Sequence, residues 1–544
     1  MFEVVALSVI VAVIGYRLAL RGLLSLSKKS GLVGHRRIAK SLLALIPQRS
    51  FSLEQFLKIH DQDKAALSRR SIALRSLATS TRYDQSKRII RESREALADQ
   101  QVVQSVAAPF VFRNIYNMLP PPPVIVKADD SFVYDADGHS YIDFSNSLSN
   151  NLLGYRKTHE RTMAALLDIQ TGGVLGNYNN DALSVIADLK EFSGHPLVSF
   201  HMSGTEAVMQ ACQLARFNSK KDKIVTFAGA YHGWWDGVQA GLGSTRKNKD
   251  SFMLEQESRF TDLTLMARRD IAAVVINPLS ILFPNKPAPT DGFLFGKRLN
   301  QDIDHARLTE YRTWLTKVRD ICTKRGIALV FDEVYTGHRL GWGGAQSYFG
   351  VQSDISIYGK SFGGGLPVGV VCANHRFGRR INELKPFDLL LARGTFQGHP
   401  YLMAAMRAFL LELKKVYQND GFSRVQKRFA QIADHWNQVF EDREIPLSVS
   451  RFESIFSFNF HRSSAYNWLL PYMLRDLGVY VAPIPGLARV PLPLNFSTEL
   501  AQLALDRILE GAARMKSEGF WTRQPQPEKV DLSLWAKQLL KSNA

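Results

Sequence analysis

Apolar positions first gather in one unbroken run near the start of the chain. Val4 to Tyr16, VVALSVIVAVIGY, carries no charge. As a helix at 1.5 Å per residue it covers about 20 Å, short of the ~30 Å hydrocarbon core of a bilayer. Continuing through LALRGLL to Leu24 supplies the missing length, with Arg17 and Arg21 snorkelling toward head groups. No small-residue cleavage site follows, so the pattern predicts a retained membrane anchor over residues 1–24, with the basic side and the rest of the chain cytoplasmic. An Arg- and Ser-rich organelle transit peptide, or a helix lying in the membrane interface, are the alternatives.

Residues 25–105 mix basic positions with short apolar pieces such as IAKSLLALI and SIALRSLA, helical in period and poor in turn residues. They read as a basic helical connector. LPPPP, Leu119 to Pro123, is a stiff break, and FVYDADGHSYIDF reads as strand, Asp-Gly turn and strand. From Leu197 the pattern changes. LVSF, KIVTF, IAAVVI and IALVF are continuous apolar runs separated by helical segments. Such runs suit strands covered on both faces, in a doubly wound, mostly parallel α/β sheet. After Pro400, YLMAAMRAFLLELKKV turns helical and then mixed. The expected division is 106–190 as entry to the body and first part of a smaller domain, 191–400 as the large domain, 401–521 as the α+β remainder of the smaller one, and 522–544 as a surface tail.

Composition narrows the function. The chain has 544 residues and a net charge of +18, but much of the excess sits between Val4 and Leu53, where no acid occurs. No zinc-finger, RNA-binding or basic-zipper pattern accompanies it, so nucleic-acid binding is not expected. Three scattered cysteines, Cys212, Cys322 and Cys372, suit buried thiols in a reducing compartment and neither a disulfide framework nor a metal site. Gly359-Lys360-Ser361 invites a triphosphate-loop reading, which needs glycine five positions earlier. Asp354 stands there.

Four segments bring polar groups to the carboxyl ends of the predicted strands, where open α/β sheets collect ligands. In VSFHMSGTEAVMQACQLAR, Ser203, Gly204 and Thr205 open a helix whose Val208, Ala211, Cys212 and Ala215 form one apolar stripe. Its first N–H groups and hydroxyls could cup a phosphate, although a plain helix cap explains Ser203 equally well. Tyr231 and His232 follow KIVTF, where an aromatic could stack on a flat ligand; Trp234 and Trp235 read as packing. Asp332 and Glu333 end IALVF, and a carboxylate there needs a partner such as a protonated ring nitrogen or an arginine. Lys360 lies among glycines in ISIYGKSFGGGLPVG, and low-dielectric surroundings would bring its pKa toward neutrality.

Together, a phosphate cup, an aromatic face, a carboxylate and an amine are what pyridoxal 5'-phosphate requires of a protein. Through SGTEAVMQACQLAR, AYHGWWDG, FDEVYTGHRLGWGGAQSYFGVQSDISIYGKSFGGGLPVG and GTFQGHP the sequence resembles the class III aminotransferases. The likeness is to those similar to glutamate-1-semialdehyde aminomutase and to the aminotransferase domains of polyketide and peptide synthases. The resemblance implies the pyridoxal-phosphate transferase fold type I. It implies that Lys360 forms a Schiff base with the cofactor and shuttles a proton, and that Asp332 keeps the pyridine nitrogen protonated. Ser203, Gly204 and Thr205 would bind phosphate, Tyr231 would cover the ring beside His232, and Thr395 would reach the phosphate from a neighbouring subunit of a homodimer. Two departures stand out: Asn277-Pro278-Leu279 where the family usually reads Glu-Pro-Val, and Leu148 where the mutase pattern has tryptophan. The expected reaction takes an amino group from a donor such as glutamate to an aldehyde or ketone, with a lipophilic acceptor suggested by the anchor. The aminomutase reaction and a non-catalytic membrane-tethered scaffold are the alternatives; the intact Lys360–Asp332 pair argues against the scaffold.

Overall fold

The computed structural model describes residues 52–58, 64–94, 96–99, 113–227, 230–238, 249–278, 305–461, 464, 466–482, 487 and 489–521. The expected anchor at 1–24, the connector through residue 51, Leu279 and the tail 522–544 lie outside them. Among the described residues, no helix is long and apolar enough to cross a membrane.

The apolar runs form the centre of a seven-stranded sheet: β1 (Leu197–His201), β2 (Lys223–Phe227), β3 (Ser251–Leu254), β4 (Ile271–Ile276), β5 (Ala328–Asp332), β6 (Ile355–Gly359) and β7 (Gly369–Ala373). Their spatial order is β1-β7-β6-β5-β4-β2-β3. The pairs from β6 through β3 are parallel, whereas β7 runs antiparallel to both of its neighbours. Every residue of β4, β5, β6 and β7 is buried, which is why these stretches lack polar alternation. The two faces are covered separately. Helix α1 (Gly204–Ser219) packs Val208, Ala211 and Ala215 with Ala273, Val275, Val330 and Ile357. Helix α2 (His305–Arg325) packs Tyr311, Leu315 and Val318 against Val274, Leu329 and Phe331. Cys212, Cys322 and Cys372 are buried free thiols, as expected.

Register places the chemistry. Gly369, the first residue of β7, lies opposite both His201 at the end of β1 and Gly359 at the end of β6. A Cβ at Gly369 would come within 2.0 Å of the Ser203 carbonyl oxygen, so the strand can approach here only as glycine. Asp354, at the position a triphosphate loop reserves for glycine, instead accepts the Leu329 N–H at 2.8 Å and pairs with Arg319.

Two smaller sheets are built from segments that lie before and after the seven-stranded sheet in sequence. The predicted hairpin forms between Phe132–Asp135 and Ser140–Asp143, flanked by Ile125–Asp129 on one side and Val479–Tyr480 on the other. Leu447–Phe452, Ile455–Phe460 and Val490–Pro491 make a second antiparallel sheet. Lys64–Thr79 and Asp84–Arg94, within the expected connector, are helical. They dock on the body: Arg70 Nε donates to the Gly519 carbonyl at 2.6 Å, the Tyr83 hydroxyl to Asp476 at 2.6 Å, and the Ser86 N–H to Asp137 at 3.0 Å.

Candidate active site

At the carboxyl edge of the sheet, a cavity of about 500 Å³ is lined by Ser203, Gly204, Thr205, Tyr231, His232, Asp332 and Lys360, among others. Seven of the eight cofactor positions expected from sequence therefore meet in one place. The eighth, Thr395, is exposed in the segment before helix α3 (Pro400–Tyr417) and does not line this cavity.

The cup forms where β1 runs into α1. Ser203 Oγ accepts the Glu206 N–H at 3.2 Å, and the Glu206 carboxylate accepts the Met202 N–H at 2.9 Å. This reciprocal arrangement is close to a capping box, so the plainer reading of Ser203 as a cap is realised. It leaves Gly204 and Thr205 at the positive end of a sixteen-residue helix, on the cavity wall. Gly233 crosses so near that a Cβ would sit 2.5 Å from Thr205 Oγ1. The backbone is closely gathered around a space suited to an anion.

Beyond β5 the two adjacent carboxylates separate in role. Asp332 Oδ2 lies 2.7 Å from His232 Nδ1, and Asp332 Oδ1 accepts the Val334 N–H at 3.2 Å. His232 thus orients the acid; its Nε2 is buried without a hydrogen-bond partner. Glu333 points away from the cavity. Its Oε2 accepts the Ala345 N–H at 2.6 Å, and burial pushes its pKa to about 8. Tyr231 is on the rim and 64% exposed. Trp235 lies 5.9 Å from the Arg216 guanidinium. Trp234 is exposed, which corrects its reading as packing: the chain turns it outward at the loop after β2.

Lys360 emerges at the end of β6 with φ 52°, in the left-handed region that costs a non-glycine residue about 1 kcal/mol or more. Burial lowers the proton affinity of its amine and Asp332 partly restores it. Its Nζ lies 5.8 Å from the centre of the Tyr335 ring. Tyr335, half-buried with its hydroxyl enclosed and unpartnered, also lines the cavity. So does Arg489, which makes no ion pair with a described carboxylate and whose proton affinity burial lowers. Sequence reasoning missed both. Tyr335 carried a weak signal, three residues past Asp332; LARVPLPLN, around Arg489, carried none, since only the tertiary fold brings it here.

Of the departures from the family pattern, one residue lies on the cavity wall. Asn277, after β4, lines the cavity in place of a carboxylate. Asn146, Ser147, Leu148 and Ser149 all have positive φ, between 47° and 79°. This left-handed turn puts Ser147 on the wall and leaves Leu148 exposed, off the cavity lining.

The profile of the family described as "Aminotransferase class-III" matches residues 116–265 and 308–511. The chain belongs to the class III aminotransferases. Glutamate-1-semialdehyde 2,1-aminomutase of Flavobacterium johnsoniae is 32% identical over 359 residues, covering 62% of this chain and 77% of that protein. Among solved structures, a glutamate-1-semialdehyde aminomutase from Pseudomonas aeruginosa superposes with a TM-score of 0.64 at 21% identity, over 82% of this class III chain and 99% of that one. An omega-transaminase from Sphaerobacter thermophilus gives 0.64 at 22%, over 79% and 98%. These two likenesses show a shared fold, consistent with the pyridoxal-phosphate transferase fold type I.

Proposed function

We propose that this class III aminotransferase uses pyridoxal 5'-phosphate to move an amino group from an amino-acid donor, glutamate in the first instance, to an aldehyde or keto acceptor. The observation that carries the reading is the meeting of a desolvated lysine amine, a histidine-oriented aspartate and an open helix start in one cavity. The donor set fits the cofactor: the close-gathered backbone at Gly204 and Gly233 suits its phosphate, and Asp332 suits its ring nitrogen. When bound, the cofactor supplies an aldehyde that exchanges amines and a ring that takes up electrons from the substrate carbon.

The protein's own groups do the rest. Asp332, held by His232, would keep a proton on the cofactor's ring nitrogen. Lys360 Nζ would hold the cofactor aldehyde and, when free, would carry a proton between neighbouring atoms, a task its lowered proton affinity suits. Tyr231 covers one ring face from the rim. Arg489 has no described carboxylate partner and is free to take a substrate carboxylate through paired N–H bonds.

The experiment is single-turnover mixing of cofactor-loaded protein with glutamate, following loss of the visible cofactor band, with borohydride trapping and peptide mass mapping on a portion taken before glutamate is added. Lys360 should be modified in the wild type, and the visible band should be absent in Lys360→Ala. An unmodified Lys360 in cofactor-saturated protein overturns the reading. Aminomutase chemistry is the second reading, favoured by the names of the 30–32% identical relatives. It predicts turnover of a single amino-aldehyde with no external donor.

Two further elements belong to the proposal. A second copy of the chain covers the segment leading to Thr395 and receives that threonine at its phosphate; Leu384 and Phe387, 92% and 99% exposed, supply apolar surface for it. Residues 1–24 anchor the protein, with the catalytic body on the cytoplasmic side, a reading that rests on the run from Val4 to Tyr16 and the basic residues after it.

A further inference from the structure

Position 360 is held where a lysine does not settle by itself. A left-handed φ of 52° at a non-glycine residue persists only when the surroundings over-determine it. Several contacts fix the short turn Lys360–Gly363. The Gly364 N–H donates to the Ser361 carbonyl at 3.0 Å, and Thr162 Oγ1 donates to the Gly364 carbonyl at 2.7 Å. At the residue next to Lys360, Ser361 Oγ lies 2.6 Å from His338 Nε2. Both side chains are buried, with His338 fully so.

His338 is itself fixed. Its ring packs 5.2 Å from that of Phe362 and 6.2 Å from that of Phe409, and the Tyr417 hydroxyl donates to its carbonyl. It is also neutral. Burial, then Arg339, then Lys360 hold its pKa well below the ordinary value. Charge neutrality matters at this spot. A carboxylate anchoring Ser361 would raise the proton affinity of Lys360, whose amine must shed its proton to act as a nucleophile. A histidinium would lower that affinity instead, by repelling the ammonium form. A neutral imidazole and a hydroxyl hold the turn without altering that charge balance, which Asp332 and the desolvation of the cavity already set.

We propose that the His338–Ser361 pair is a positioning device for Lys360, clamping the strained turn so that Nζ stays in place in the cavity. The proposal rests on the aminotransferase reading of Lys360. His338 and Ser361 act through the lysine, not on the substrate.

The test uses cofactor-loaded, full-length protein carrying Ser361→Ala, Ser361→Thr or His338→Phe. The control is Ser356→Ala, an equally buried serine on β6 that bonds Ser353. The readout is the pH midpoint of the cofactor's visible band, beside kcat, KM and thermal unfolding. Releasing the turn lets water reach Nζ, so the midpoint in Ser361→Ala should rise by about half to one pH unit. Its kcat should fall roughly tenfold with KM within about threefold, as expected when a reacting group is mispositioned. Ser361→Thr, which keeps the hydroxyl, should restore both. A wild-type midpoint and kcat in Ser361→Ala overturn the proposal, as does an equal shift in Ser356→Ala, which would mark a general packing effect. His338→Phe, if folded, should match Ser361→Ala; a folded His338→Phe with wild-type values also overturns it. If the wild type shows no visible band, the aminotransferase reading fails and the pair's role with it.

Discussion

Replacing Glu333 by glutamine should make the protein more stable, and increasingly so as the pH rises. The carboxyl is fully buried beside Asp332, with one oxygen taking the Ala345 N–H and the other without a partner. Burial lifts its pKa from 4.5 to about 8. Because the folded-state pKa is the higher one, the folded chain holds a proton between these values that the unfolded chain has lost. Stability is therefore complete below about pH 4.5 and falls as pH rises toward 8, at about 1.4 kcal/mol per pH unit. Between pH 5 and 8 the loss amounts to roughly 4 kcal/mol, large against a net stability of about 5–15 kcal/mol. Glutamine keeps the acceptor for Ala345 and never ionises, so it removes this slope. Urea unfolding of wild type and Glu333→Gln at pH 5 and 8, at one fixed cofactor concentration because ligand shifts apparent stability, should show near-equal stability at pH 5 and a wide gap at pH 8. Parallel pH dependence in the two proteins would refute the reasoning, since it would mean that the carboxyl is already ionised in the folded state.

Asp332→Asn keeps the shape of the acid but cannot hold a proton on a pyridine nitrogen; kcat should fall by about 10² or more in steady-state assays, as when other electrostatic stabilisers are removed. Arg70→Ala should lower unfolding free energy by roughly 2 kcal/mol with kcat unchanged, because it loses the Gly519 bond and its stacking 4.9 Å from the Tyr466 ring. Phe387→Asp should shift sedimentation of the protein from dimer toward monomer and reduce activity in parallel, since it puts a charge into the proposed apolar contact.

What the sequence discloses follows from which interactions are local. β4 and β5 read clearly because both faces are buried and the apolar run has no breaks. β3, four residues at the sheet edge, and β7, behind three glycines, do not. β7 is the short apolar run GVVCA, but its place between β1 and β6, antiparallel to both, is set by pairing that no local period shows. Lys360 and Asp332 stand out because a charged residue directly after a buried strand is costly without a purpose. Ser203 was ambiguous between cap and cup, and the structure shows the hydroxyl capping while its neighbours line the cavity. Tyr335 and Arg489 acquire meaning only once the cavity closes around them, and the His338–Ser361 contact joins two turns that no period in the sequence connects.

Arg489 bears on the open question of the acceptor. The run from Val4 to Tyr16 suggests a lipophilic carbonyl, and Leu366, Pro367 and Val368 give the cavity an apolar side. Yet a transaminase must accommodate donor and acceptor by turns in one space, and a part-buried guanidinium cannot be left without an anion at no cost. A donor such as glutamate satisfies it; a neutral fatty aldehyde does not. Leaving the cation unpaired costs about 2–3 kcal/mol, roughly 30- to 150-fold in KM. An acceptor that would reconcile both walls is a keto acid with an apolar chain, its carboxylate on Arg489. Among acceptors of matched chain length, those with a carboxylate should be preferred by that factor in the wild type and lose the preference in Arg489→Ala. Equal KM values for acid and neutral aldehyde in the wild type would mean that Arg489 does not meet the acceptor.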